Sequence, residues 1–214
     1  MSRTRRQLLL AVLTLGVTAA AWFAGLPGGA VDRASLATAW ICALLFVMAL
    51  SVGPARATRG EQPPLNILTR RDLGIWVGLS GLLHFVFGNV ESMNGIYVGS
   101  VTSADLPFGP KARMAMFNWG AITGTILAVV LLALLALSNN ASLRRLGPRR
   151  WKRWQRLSYF GFALTILHGL LFQLLERRSW VWIALLLAMA AGVLLFQLTG
   201  RRNYSRLVAG QGGD

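Results

Sequence analysis

Six apolar stretches run through this chain, at residues 8–26, 36–52, 73–90, 114–137, 157–175 and 180–199. A helix needs about 20 mostly apolar residues to cross a hydrocarbon core of about 30 Å. In lipid each backbone N–H and C=O must be satisfied within its own segment, which a helix does. The pattern therefore predicts an all-α membrane protein: a six-transmembrane-helix bundle forming a single transmembrane domain over residues 1–214. Composition agrees, with 55% hydrophobic and 14% charged residues. Disorder requires low hydrophobicity, and so few charges cannot cover the surface of a soluble enzyme this apolar. Cys42, the single cysteine, rules out a disulfide scaffold.

The charges between the stretches predict the orientation. Seventeen of the 22 Lys and Arg fall on one side: Arg3, Arg5 and Arg6; Arg56, Arg59, Arg70 and Arg71; the seven from Arg144 to Arg156; and Arg201, Arg202 and Arg206. Five fall on the other side: Arg33, Lys111, Arg113, Arg177 and Arg178. That bias predicts a multi-pass membrane protein with both termini in the cytoplasm. The net charge of +15 thus reports topology before it reports a nucleic-acid partner. The first stretch begins like a signal peptide, but about 19 apolar residues exceed the usual 7–15 and no A-x-A site follows. It reads as a retained helix. Breaks are expected at Pro27-Gly28-Gly29, Pro63-Pro64 and Gly147-Pro148.

The third stretch is the most polar, with Gly74, Gly78, Ser80, Gly81 and His84, so it is expected to face other helices. His84 and His168 are the only histidines, and each stands 11 residues inside its stretch, on the third and the fifth. At 1.5 Å per residue both reach roughly 16 Å into the membrane from the same side. An ionisable side chain at that depth marks a functional site by default. Two imidazoles at one depth suit axial ligation of a haem iron, each offering its second ring nitrogen to an acceptor. Ser80 and Thr165 lie on the ligand-bearing faces. Gly78 and Gly81 near His84, and Gly161 and Gly169 near His168, leave room for a flat macrocycle. Spacing alone leaves two further readings open: a pair that only packs helices, as in a structural or assembly protein, and a proton relay. A zinc site is disfavoured, because it takes at least three protein ligands. The chain has no GxGxxG, GxxxxGK[ST] or CxxC, so nicotinamide or nucleotide chemistry has to come from a partner.

The words around the histidines carry a resemblance. Arg70-Arg71-Asp72-Leu73-Gly74-Ile75-Trp76, followed by Leu82-Leu83-His84, resembles the third helix of the bacterial ferric-reductase-like transmembrane family. It looks most like the MsrQ branch, the haem-binding membrane subunits of periplasmic methionine-sulfoxide reductase systems. Leu137-Ser138-Asn139, Arg144-Arg145-Leu146-Gly147, Trp151 and Trp154-Gln155-Arg156-Leu157-Ser158-Tyr159, ending at Leu167-His168, resemble that family's fourth loop and fifth helix. The match covers about residues 65–175. It implies b-type haem on His84 and His168, with Ser80, Gly78, Gly81, Thr165 and Gly161 around it. It implies electron transfer from a cytoplasmic flavin reductase or a quinol to a periplasmic acceptor such as a molybdopterin subunit, and it admits a flavin or quinone cofactor. One position departs: Gln155 stands where the family has a histidine, 13 residues before His168. Glutamine is a poor iron ligand, so the resemblance implies one haem and no inner one.

Four further expectations complete the reading. Trp151, Trp154, Trp180 and Trp182 are assigned to interfacial belts. Asn118 and Trp119 are candidates to line the haem pocket. The segment from Glu91 to Arg113 is the candidate surface for an external acceptor. Cys42 is expected to be buried and inert.

Overall fold

The computed structural model describes residues 3–23, 29–59, 67–93, 108–176 and 179–209. Seven helices stand in it: α1 (Arg3–Phe23), α2 (Ala30–Ala57), α3 (Ile67–Met93), α4 (Pro110–Leu137), α5 (Asn140–Gln155), α6 (Leu157–Leu175) and α7 (Trp180–Ala209). Five helical segments are long and apolar enough to span a membrane: Ala30–Arg56, Thr69–Met93, Pro110–Leu137, Asn140–Leu175 and Trp180–Asn203. The first apolar stretch does form α1, but α1 is not among those five. Pro27-Gly28 and Pro63-Pro64 fall outside the described residues.

α2 is the centre of the bundle and packs on α3, α7 and α1, while α4 packs on α6 and α3. Its Ile41, Leu45, Phe46 and Leu50 form the core with Val77 of α3, Leu131 and Leu134 of α4 and Phe162 of α6. Outward-facing positions carry apolar side chains, as lipid contact demands: Leu79, Leu83 and Val86 on α3, Val129 and Leu132 on α4, Leu194 and Leu195 on α7. α3 is thus two-faced. Its small and polar positions pack inward, with Gly78 against Leu135 and Gly81 against Leu131, while the leucines between them point out.

Two local devices hold the packing. Pro54 in α2 has no N–H, so the carbonyl of Leu50 loses its helical donor. Gln197 of α7 supplies one, its Nε2 donating to Leu50 O at 2.8 Å. Gly200 lets the helices meet there, since a Cβ would come 2.7 Å from Pro54 Cβ. At the N-terminal end of α1, Arg6 Nε pairs with Asp72 Oδ2 at 3.1 Å and Gln7 Oε1 accepts from Trp76 Nε1 at 2.7 Å, clamping α1 to α3.

The basic run read as a loop is largely helix. Asn139 caps α5, its side chain accepting from the Ser142 N–H at 2.8 Å. The helix breaks at Gly147, whose φ of 70° is left-handed, and resumes after Pro148. Charge density hid this helix, because it is too polar to read as a span. Trp151 is no belt residue: it is buried, and its Nε1 donates to Leu137 O at 2.9 Å, closing the C-terminal end of α4. Trp154 and Trp180 are exposed, and Trp182 stacks on Trp40 at 5.0 Å.

Candidate functional site

His84 projects from α3 and His168 from α6, and the structure brings their rings to a centroid separation of 5.8 Å, inclined at 75°. Each ring is fixed by a main-chain acceptor on a neighbouring helix. His84 Nδ1 lies 2.9 Å from Ser35 O on α2, with Ser35 Oγ at 3.3 Å. His168 Nδ1 lies 2.9 Å from Gly120 O on α4. A carbonyl oxygen only accepts, so in each neutral ring Nδ1 carries the hydrogen and Nε2 holds the lone pair. The same tautomer is therefore set on both rings from opposite sides of the bundle.

Both rings line one cavity, open on one side, between α2, α3, α4 and α6. Its walls near the histidines are mainly apolar, with Leu36, Phe117, Leu127 and Leu131, and toward the end of the bundle away from α5 the lining is polar, with Asn89, Glu91, Gln173 and Glu176. Room for the rings comes from α4. A Cβ on Gly124 would come 2.7 Å from His168 Cε1, and one on Gly120 would come 2.6 Å from Phe172 Cε2. Phe172 in turn stacks on His168 at 4.9 Å.

The residues singled out from sequence divide. His84, His168 and Gly81 share the cavity, and Gly169 joins them. Ser80 Oγ donates to Trp76 O at 2.7 Å and Thr165 Oγ1 to Gly161 O at 2.9 Å, so each hydroxyl is satisfied on its own helix rather than on a ring. Gly78 and Gly161 are packing positions: a Cβ would meet Leu135 at 3.3 Å in the first case, Phe46 and Val130 at 3.2 Å in the second. Asn118 and Trp119 do not line the cavity. Trp119 is 61% exposed, because a helix that turns Gly120 and Gly124 inward turns its neighbours out. Cys42 is buried, its Sγ 3.6 Å from Val77 O. Of the candidate acceptor surface, residues 94–107 lie outside the described residues.

Ser35, Gly120 and Gly124 were missed. The first two act through main-chain oxygen, which no side-chain motif announces. Gly120 and Gly124 did leave a sign, since Gly120-Ala121-Ile122-Thr123-Gly124 is the small-xxx-small spacing of close helix contacts.

Among the described residues no three of His, Cys, Asp and Glu stand together as a metal-ligand group. A metal held by the histidine pair would have to bring its other ligands with it, as a macrocycle does. The site suits such a group. The two histidines that would hold it stand on different helices, each with Nδ1 on a main-chain carbonyl, and line the same cavity.

No family model matches the chain, and no solved structure matches it. Curated relatives do. A Cronobacter sakazakii protein is 32% identical over 123 residues, 58% of this chain and 54% of its own length. A Ralstonia nicotianae protein is 33% identical over 125 residues, 58% and 52%. A Salmonella paratyphi B protein is 30% identical over 154 residues, 70% and 69%. All three carry the name haem-binding subunit MsrQ of a protein-methionine-sulfoxide reductase. The chain spans about half the length of the first two and over two thirds of the third. By that last match, the chain belongs to the MsrQ family of haem-binding membrane subunits.

Proposed function

We propose that this chain is the haem-binding membrane subunit of a methionine-sulfoxide reductase system. It would carry electrons across the inner membrane through one b-type haem held by His84 and His168. The observation that supports this reading best is the matched pair of hydrogen bonds, Nδ1 to Ser35 O and Nδ1 to Gly120 O. They direct both Nε2 lone pairs away from the flanking helices. Bound haem would supply a one-electron carrier. The chain's own residues hold the rings, exclude water with Leu36, Leu127 and Leu131, and set the ligand tautomers.

On the charge bias, the α5 end is cytoplasmic and the opposite end, with the polar lining of the cavity, faces the periplasm, with α1 as a sixth span. Electrons then enter from a cytoplasmic flavin reductase or a quinol. They leave near Glu91, Gln173 and Glu176 toward a periplasmic acceptor, such as a molybdopterin-bearing methionine-sulfoxide reductase subunit.

Purified from haem-replete cells, the protein should show a Soret band that moves on reduction. Pyridine-haemochrome assay should count one haem per chain, and His168→Ala should remove it. A haem-free wild-type protein of normal fold would leave the histidines as packing residues and defeat the proposal.

A further inference from the structure

Each imidazole shares its acceptor with a threonine. Ser35 O, which takes the Nδ1–H of His84 at 2.9 Å, also takes the hydroxyl of Thr38 at 2.9 Å. Gly120 O, which takes the Nδ1–H of His168 at 2.9 Å, also takes the hydroxyl of Thr123 at 3.0 Å. In both cases the threonine stands three residues after the acceptor, on α2 and on α4. Both threonines are buried, and neither is among the residues that line the cavity. Each hydroxyl divides its single hydrogen between two carbonyls of its own helix. Thr38 also reaches Ala34 O at 2.7 Å, and Thr123 also reaches Trp119 O at 2.8 Å.

A threonine bonded backward to its own helix is ordinary by itself. Thr199 on α7 makes the same two contacts, to Leu195 O and Phe196 O at 2.9 and 3.1 Å. What sets Thr38 and Thr123 apart is the oxygen they reach. A carbonyl oxygen has two lone pairs. Helix geometry engages one with the N–H four residues on, that of Ala39 in α2 and of Gly124 in α4. The imidazole and the hydroxyl then compete for what remains. Electron density drawn by the hydroxyl is withheld from Nδ1–H, so each ring is held less strongly than a carbonyl free of the threonine would hold it. The acceptor at one ring nitrogen governs the donor strength of the other, so Nε2 is left less electron-rich.

We propose that Thr38 and Thr123 are positioning residues that set, through Ser35 O and Gly120 O, how strongly each imidazole N–H is held and how electron-rich each Nε2 is. The redox consequence rests on the haem reading above. A less electron-rich ligand favours ferrous iron, so the two hydroxyls raise the midpoint potential of a haem held by the pair. Because the two threonines stand on different helices, each acts on one ring.

The test uses the full-length protein labelled with [15N]histidine, as purified and then reduced, so that any bound low-spin iron is diamagnetic. The chain has two histidines, so each ring is read separately. Thr38→Val and Thr123→Val keep the side-chain shape and remove the hydroxyl. The first should move the Nδ1 resonance of His84 downfield and leave His168 in place, and the second should do the reverse. With haem bound, each should lower the midpoint potential by about threefold in the reduction equilibrium, the scale of one weak neutral hydrogen bond, which is roughly 30 mV at 59 mV per tenfold. Thr38→Ser and Thr123→Ser restore the hydroxyl and should restore the wild-type values. Thr199→Val should change neither readout. Unmoved nitrogen resonances in both valine variants, movement of both rings by either one, or shifts matched by Thr199→Val would each overturn the proposal. A haem-free wild type would defeat the haem reading alone, because the nitrogen resonances would still decide what the hydroxyls do.

Discussion

Gly124 of α4 sits directly against the imidazole of His168: a Cβ at that position would lie 2.7 Å from His168 Cε1 and 2.9 Å from Nδ1. The ring is held by Gly120 O one turn earlier on the same helix, so it has little freedom to retreat. Gly124→Ala should therefore displace the ring and stretch its bond to Gly120, an overpacking cost of about 1–3 kcal/mol. In the haem-bearing protein this should appear as a shifted or weakened Soret band. Gly192 of α7 is not in that cavity's lining and has nothing within 4 Å of a Cβ, and Gly192→Ala should leave the spectrum unchanged. Identical spectra for the two variants would refute the argument.

Asp72 is 1% exposed and meets Arg6 across the α1–α3 contact. Arg6→Met leaves a buried carboxylate without this partner and should cost about 3 kcal/mol, as broken buried pairs do. The double variant Arg6→Met, Asp72→Asn should recover much of that loss, because it removes the charge as well. Melting temperatures of the two singles and the double, compared as a cycle, give the coupling.

Gln197 answers a need created by Pro54. Gln197→Leu keeps the size of the side chain but strands Leu50 O, so stability should fall by about 1–3 kcal/mol. Replacing Pro54 by alanine restores a donor for Leu50 O within α2. Gln197→Leu should then be markedly less damaging in the Pro54→Ala background, as read by thermal unfolding in detergent.

Gly147 turns the chain inside α5 with a φ of 70°. Alanine there meets no atom within 4 Å, so its only cost is conformational. Gly147→Ala should lower stability by about 1–3 kcal/mol through its backbone alone, since φ 70° with ψ 161° is a conformation open almost only to glycine. Haem content should stay that of wild type, because the cavity lies at the other end of the bundle.

Much of this protein was legible in its sequence, for one physical reason. Lipid forces backbone satisfaction within each segment, so apolar runs of about 20 residues translate directly into helices. The runs at 36–52, 73–90, 114–137, 157–175 and 180–199 all lie within membrane-length helices, and α1 forms on the first. His84 and His168 stood out because an ionisable group inside such a run is rare. The basic run before α6 was legible as charge but not as structure, because the Asn139 cap and the buried Trp151 act through contacts that composition does not encode.

What only the tertiary structure decided is who faces whom. Ser80 and Thr165 share helix faces with the histidines, yet both hydroxyls bond backward to their own helices. The rings take main-chain oxygens of Ser35 and Gly120 instead, from helices far away in sequence. Of the glycines, Gly78 and Gly161 went to helix packing, while Gly124, which no histidine neighbours in sequence, made the space for His168. Periodicity places a residue on a face of its own helix. The rotation of that face toward a particular neighbour is set by packing among all the helices together, and no single segment carries that information.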